Sequence, residues 1–478
     1  MPGVGKTTLM ENLNNQLDGD EMFDIVIWVT VSKGSSRRKV QDEITIRIEL
    51  NVGKDESDES IARKLHSYLK KKRWLLLLDD VWEDINLLRI GIPNCEELDG
   101  CKVVLDSRDL KVCNQMGTNE NIELTTLNKG EARKLFRDKV CAISPKIIHS
   151  KIVDKILDQC GNLPLAIVTV GTALRNKDII SVWNDTLRTL LNPDMRSTDL
   201  DDMYKQLLRF SYDQLNDYTK KCFLYAALYP DGHGIYIDDL IECWKAEGLC
   251  ENCKSFADAH DRERHILETL IDASMLQRST RPEHVRMHQM LRDVALKITW
   301  PNSESPKLLV RAGGKLQHMP EDTEWEQVER ISFMSSDLSS LPMKPTCAEL
   351  TTLFLQSNPA LKVVPNSFFA KMSRLRVLDL SNTEIQSLPM SLFSLLNLQG
   401  LNLSGCRHLK AFPSMTSYMY VPFPKHGYLE NLELLDIRGT GITCLPPEIR
   451  KFPKLHCLKV SSTNFADYME RQQLFPNN

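Results

Sequence analysis

The chain opens inside a phosphate-binding loop. Residues 1–8 read MPGVGKTT, and Gly5-Lys6-Thr7 closes the pattern G-x-x-x-x-G-K-[ST]. In such a loop, glycines let backbone N–H groups curl around phosphate oxygens. The lysine reaches the terminal phosphates, the threonine hydroxyl ligates Mg²⁺, and the helix that follows adds its positive N-terminus. Gly3, Gly5, Lys6, Thr7 and Thr8 are therefore candidate phosphate-binding residues, and Thr7 is also a candidate metal ligand. The first glycine of the pattern would fall before Met1, as would the strand that feeds such a loop. The expectation is a sequence truncated within its own motif.

Downstream, Leu9, Leu13 and Leu17 recur every four residues, as in a helix packed on a sheet. Residues 24–31 (DIVIWVTV) form a continuous β-rich run, the mark of a strand buried on both faces of a parallel sheet. Val40, Ile44 and Ile48, then Ile61, Leu65 and Leu69, give two further helices. Residues 74–82 (WLLLLDDVW) read as a buried strand with Asp79 and Asp80 at its C-terminal edge, where open α/β sheets bind ligands. In a P-loop enzyme the first acid holds Mg²⁺, and the second can orient or deprotonate an attacking water. A strand merely ending in solvated acids is the plainer alternative, and the upstream GKTT counts against it. A short strand at 102–105 precedes Asp106-Ser107-Arg108, where Arg108 is either a γ-phosphate sensor or a surface arginine.

The 478 residues allow several domains. A net charge of −4 gives no reason to expect nucleic acid as the main partner. The 13 cysteines are odd in number and lack framework spacing, and no signal peptide precedes the loop. A reducing, cytoplasmic setting is expected. The longest apolar stretch, 163–174, is too short for a membrane span and contains Thr169, Gly171 and Thr172.

PGVGKTT, FDIVIWVTVSK and LLLLDDVW together resemble the nucleotide-binding domain of plant disease-resistance proteins, specifically the coiled-coil class of nucleotide-binding, leucine-rich-repeat receptors. Further motifs follow in order. Asn128 and Glu131 form a capping box, and CGNLPLAI is similar to the family's GLPL motif. The residues alone give a helix stop at Gly161 and a new helix from Pro164; the resemblance places Pro164 near the adenine. CFLYAALYP and LIECWKAEG, within 204–298, match a winged helix whose helices lack a dense basic face, so a packing role is expected. Cys250 and Cys253 are read as loop thiols, because no second ligand pair has zinc-site spacing. VRMHQ at 285–289 stands where the family has V-x-M-H-D. The resemblance puts His288 on an ADP phosphate. Gln289 lacks the family's carboxylate, so a looser resting-state latch is expected.

In the C-terminal third the period changes. Leu350-x-x-Leu353-x-Leu355 recurs from Leu375, Leu398, Leu432 and Leu455, at spacings of 25, 23, 34 and 23 residues, after a weaker Val328/Ile331/Phe333 unit. This is a leucine-rich repeat array, in which stacked units share one core. Asn358, Thr383, Cys406, Thr440 and Thr463 occupy the turn beneath each strand. Arg376, Asp379, Asn402, Asp436, His456 and Lys459 are assigned to the concave face, with mixed charge that suits a protein surface. No polar capping repeat is evident before the closing QQLFPNN, so truncation is expected there too.

The expected architecture is multidomain: an α/β P-loop NTPase domain over 1–125 with its first strand missing, a helical domain over 126–200, a winged helix over 204–298, a linker over 299–327, and an α/β solenoid of repeats over 328–478. The resemblance implies an intracellular immune receptor that exchanges ADP for ATP with Mg²⁺. Asp79 would hold the metal, with Asp80 and Arg108 serving slow hydrolysis. The repeats would recognise a pathogen effector or guarded host protein, and activation would bring self-oligomerisation. Two other readings remain: a degraded receptor acting as a scaffold without nucleotide, and a P-loop ATPase outside immunity.

Overall fold

Three parallel strands carry the nucleotide-binding half: β1 (Ile25–Thr30), β2 (Trp74–Val81) and β3 (Lys102–Ser107), in the order β1-β2-β3. The structure, a computed structural model, describes residues 3–31, 36–53, 56–141, 151–191, 208–209, 211–249, 256–279, 281–299, 307–314, 316, 325–412, 429–443 and 452–461. Cys250, Cys253, Thr463 and the QQLFPNN end lie outside these residues.

The four leucines of β2 are buried because the sheet is covered on both faces. On one face lie α1 (Lys6–Leu17) and Phe23; on the other lie α2 (Arg37–Arg47) and α3 (Asp58–Leu69). Ser36 and Ser57 start the latter two helices by accepting from Lys39 N and Ser60 N. The stripe that α1 turns to the sheet is Met10, Leu13 and Leu17, while Leu9 is exposed. The expected four-residue spacing therefore begins one residue early, and the i, i+3, i+7 stripe of an ordinary helix replaces it. Beyond β2 come α4 (Leu87–Ile90) and α5 (Leu110–Gln115).

Among the described residues four helices follow: α6 (Lys129–Val140), α7 (Lys151–Gln159), α8 (Pro164–Ala173) and α9 (Ile180–Leu190). The Asn128–Glu131 capping box is present at the start of α6. Gly171 of α8 lets α6 approach closely, since a Cβ there would stand 3.3 Å from the Phe136 ring. Phe136 in turn meets Trp183 edge-on at 5.9 Å.

The winged helix comprises α10 (Asp217–Ala226), β4 (Ile235–Tyr236), α11 (Ile237–Glu247), α12 (Phe256–Asp272), β5 (Gln277–Arg278), β6 (His284–Arg286) and α13 (Gln289–Ile298). Its strands form an antiparallel sheet in the order β4-β6-β5. Among the described residues, no helix is long and apolar enough to cross a membrane.

The repeats stack as a seven-stranded parallel sheet of β7 (Leu308–Val310), β8 (Arg330–Ser332), β9 (Thr352–Phe354), β10 (Val377–Asp379), β11 (Gly400–Asn402), β12 (Leu434–Asp436) and β13 (Cys457–Lys459). Leu309, Ile331, Leu353, Leu378, Leu401, Leu435 and Leu458 fall in one register row across it. The strand at Leu308 lies inside the segment read from sequence as a linker. Its prolines and glycines flank the strand rather than replace it, so the array starts about one repeat earlier than the leucine pattern implies. The turn positions are occupied as expected where they are described. Asn358 donates to the Phe333 and Leu355 carbonyls and accepts from Ser336 N and Leu338 N, while Thr383 and Cys406 both donate to Leu380 O.

The concave face of the repeats is laid along α11. The C-terminal Glu247 of that helix is buried and accepts from Arg330 Nε at 2.5 Å, Thr351 Oγ1 at 2.9 Å and Thr352 Oγ1 at 2.8 Å. Arg376 donates to the Glu247 carbonyl at 2.7 Å, a cation placed on the negative end of the helix. Gly248 permits that approach: its φ is +73°, and a Cβ there would lie 2.7 Å from the guanidinium. Further along, Lys459 reaches Glu242 at 2.7 Å and Asp239 at 3.5 Å. Phe354 enters the winged-helix core between Tyr225 and Tyr229.

Candidate functional site

The C-terminal edge of the sheet is shaped by a bulge. Leu78 pairs with Leu105 and Val81 with Ser107, so Asp79 and Asp80 together oppose Asp106. Asp80 takes the extra position, with φ +58°, and its side chain is re-aimed out of the strand. Its amide donates to Asp106 Oδ1 at 2.7 Å, and Trp82 Nε1 donates to its carboxylate at 2.9 Å. Asp79 is buried at 2% exposure, and its Oδ1 has no hydrogen-bond partner. Burial, and then the neighbouring Asp106 carboxylate, push its pKa up to about 8; Arg286 and the Thr7 hydroxyl act in the opposite direction.

The phosphate loop faces this edge. Gly3 and Gly5 have φ of +77° and +99°, and Gly5 caps α1 without a side-chain hydrogen bond, so the cap leaves amides for a ligand. Gly3 O accepts from Leu165 N at 3.2 Å, which fastens the loop to the start of α8, where Pro164 takes the first helical position. Burial lowers the Lys6 pKa against the pull of Asp106, Asp80 and Asp79. Thr8 is exposed on α1.

The winged helix closes the corner. His288 caps α13, and its Nδ1 accepts from Met290 N at 3.2 Å, so the neutral ring carries its proton on Nε2. Burial, followed by the nearby Arg108, Arg286 and Lys6 charges, pushes its pKa down to about 3. Arg286, two residues earlier, places Nη2 2.6 Å from Glu11 on α1 and Nη1 3.7 Å from Asp79. Arg108 is engaged by Asp80 at 3.2 Å and Asp231 at 3.5 Å, and lies 4.6 Å over the Trp82 ring. Neither alternative read from the sequence anticipated that arrangement: the arginine is an interdomain tie.

The structure thus gathers Gly3, Gly5, Lys6, Thr7, Asp79, Asp80, Arg108 and His288 at one corner, with Pro164 behind the loop. Sequence reasoning missed Glu11, Asp231 and Arg286. The signal for Arg286 was its position in VRMH, two residues before His288.

The residues fit a nucleoside phosphate accompanied by Mg²⁺. Helix-terminal amides, Lys6 and a neutral imidazole N–H converge on anion chemistry, while Thr7 and the orphaned oxygen of Asp79 supply hard oxygen donors. Among the described residues, no group of three His, Cys, Asp or Glu side chains could hold a metal ion. That suits Mg²⁺, which is held by one or two protein groups with phosphates and water. A cavity of about 950 Å³ opens between α2, the winged helix and the repeats, lined by Asp239, Asp379, Asn402 and Asp436 with Arg281, and Arg286 also borders it.

The fold and this corner define a P-loop nucleotide-binding module closed by a winged helix and docked on leucine-rich repeats. Comparison with known proteins agrees segment by segment. The NB-ARC domain family matches residues 1–145, the disease resistance protein winged helix domain matches 228–295, and the leucine rich repeat matches 348–407. Disease resistance protein At4g27190 of Arabidopsis thaliana is 36% identical over 474 residues, covering 97% of this chain and 47% of that protein. From the same plant, disease resistance protein UNI is 32% identical (96% of this chain, 51% of that one), and disease resistance protein RPS5 is 34% identical (85% and 47%). The chain belongs to the nucleotide-binding, leucine-rich-repeat disease-resistance family. It spans about half the length of the curated relatives it matches. Among solved structures, the Aeropyrum pernix ORC2 protein aligns over 62% of this chain and 84% of that one at 14% identity, with a TM-score of 0.27, too distant to carry an argument.

Proposed function

We propose that this chain is the nucleotide switch and repeat sensor of an intracellular plant immune receptor. It binds ADP in the conformation seen here and is activated by exchange for Mg²⁺·ATP. The observation that carries the reading is the reach of Arg286 and His288 from the winged helix into the corner formed by Lys6, Thr7 and Asp79. With ADP bound, Lys6 and the loop amides hold the phosphates, and the Nε2–H of His288 donates toward them. Thr7 and Asp79 would hold Mg²⁺, which screens phosphate charge when present. Slow hydrolysis, with Asp80 orienting water and Arg108 released from Asp231, resets the switch.

The repeats restrain the winged helix through α11 and offer their remaining surface to a pathogen effector or guarded host protein. Displacement of α11 from the concave face frees the module for self-association. A cytoplasmic location accords with this role.

Calorimetric titration of ADP into the full chain and its Lys6→Ala variant tests the proposal. Loss of the ammonium is expected to weaken binding by roughly thirtyfold or more, equivalent to about 2 kcal/mol for a charge-assisted contact. A folded wild-type chain that takes up no ADP would favour the scaffold reading.

A further inference from the structure

We propose that, independently of any nucleotide, the cavity between α2, the winged helix and the repeats binds a small aliphatic polyamine. At about 950 Å³ the space has the size of a small-molecule site. Its repeat-side wall is a row of acceptors set by strand register. Asp379 on β10 pairs with Asn402 on β11, which pairs with Asp436 on β12, so the two carboxylates stand roughly 10 Å apart. Asp239 of α11 lines the same space.

Most charges around the cavity are already matched. Asp436 is held by Arg438 at 2.6 Å, and Asp239 and Glu242 share Lys459. On the α2 wall, Arg47 is held by Asp18 at 2.9 Å, and Lys39 and Arg281 lie close enough to Glu43 to favour its charge. Arg286 is bound to Glu11. Asp379 is different. Its donors are Ser381 N at 2.8 Å and Asn402 Nδ2 at 3.0 Å, and among the described residues no lysine or arginine pairs with it. Burial, with Asp239 adding to it, pushes its pKa up to about 6 against those hydrogen bonds.

Gln356 lies two residues beyond Phe354, the register partner of Asp379, and lines the cavity at 5% exposure. Its Oε1 has no hydrogen-bond partner, and only a donor can satisfy it. The winged-helix wall supplies rings: Tyr229 stacks on His233 at 5.9 Å, and Tyr236 meets His284 at 5.4 Å. Burial lowers the pKa of both histidines, His233 to about 3, so these rings are neutral faces rather than competing cations. Carboxylates, a lone acceptor and π faces together select positively charged N–H donors. Among the described residues no group of three His, Cys, Asp or Glu side chains could hold a metal ion, which favours an organic cation. An extended chain of ammonium groups can meet Asp379 and Gln356 at one end and reach toward Asp436 at the other.

The test is calorimetric titration of spermidine into the full chain as wild type, Asp379→Asn, Gln356→Met, Lys6→Ala and Glu97→Gln. Glu97 is an exposed acid outside the cavity. Asparagine keeps an oxygen for Ser381 N, methionine keeps the length of the Gln356 side chain, and melting curves check both folds. The expected result is one site per chain in wild type, Lys6→Ala and Glu97→Gln. Binding should weaken about tenfold or more in Asp379→Asn and about threefold or more in Gln356→Met. Spermidine should also raise the wild-type melting temperature, because it bridges the winged helix and the repeats. Equal affinity in wild type and Asp379→Asn overturns the inference; should that variant not fold, equal affinity in Gln356→Met does so. Uptake lost in Lys6→Ala would put the cation on a bound nucleotide and also overturn it. So would equal competition by Mg²⁺ at the same charge concentration, the mark of surface screening.

Discussion

Glu247→Ala is expected to undock the repeats from the winged helix, at a cost of about 3–5 kcal/mol, the usual penalty for breaking a buried ion pair from one side. Glu247 and Arg330 have side-chain exposures of 3% and 12%, and the carboxylate also satisfies the Thr351 and Thr352 hydroxyls. Removing it strands the Arg330 guanidinium, which lies 5.7 Å from the Tyr225 ring, without its hydrogen-bonded carboxylate. Differential scanning calorimetry should then resolve two transitions where the wild type shows one. Glu247→Leu combined with Arg330→Met should restore most of the loss, because an apolar pair of similar volume replaces a buried salt bridge at little net cost. A loss below about 1 kcal/mol in the single variant, the value of an exposed pair, would mean that this contact does not hold the interface.

Arg286→Gln is expected to accelerate ADP release by about tenfold or more, as removal of one partner from a desolvated charge contact acts mainly on dissociation. The guanidinium is the bridge from β6 to α1 and β2, through Glu11 and Asp79. Its loss leaves Asp79 facing Asp106 without that cation, while the Arg108–Asp231 contact to the winged helix remains. Stopped-flow displacement of a fluorescent ADP analogue reads the rate. Glu11→Gln should have a smaller effect, because the contact to Asp79 survives. Equal rates in wild type and Arg286→Gln would remove this arginine from the latch.

The expectation for Gln289 concerns the same interface. The sequence suggested a weakened resting state, since Gln289 replaces a carboxylate. The structure supplies other ties across the same interface: Arg286 to Glu11 and Asp79, and Asp231 to Arg108. Long-range ion pairs of this kind leave no periodicity in a sequence. Glu11 and Arg286 are 275 positions apart, and each alone reads as an ordinary surface charge.

By contrast, the elements themselves were legible. The leucine run of β2, the phosphate loop and the repeat leucines each impose one local geometry, and the structure keeps all three. What failed locally failed by small margins. Leu9 faces water because α1 is phased by Met10, and β7 was hidden among prolines and glycines. The concave residues were legible as a protein-binding surface but not as one already in use. Arg376 and Lys459 look alike in sequence whether they await a partner or already hold α11.

The measurement that bears most directly on the central claim is the nucleotide carried by the purified chain. The protein is denatured, and the released small molecules are separated by ion-exchange chromatography. Stoichiometric ADP in the wild type, lost in Lys6→Ala, is the predicted result. A folded wild-type chain that releases no nucleotide would contradict the switch.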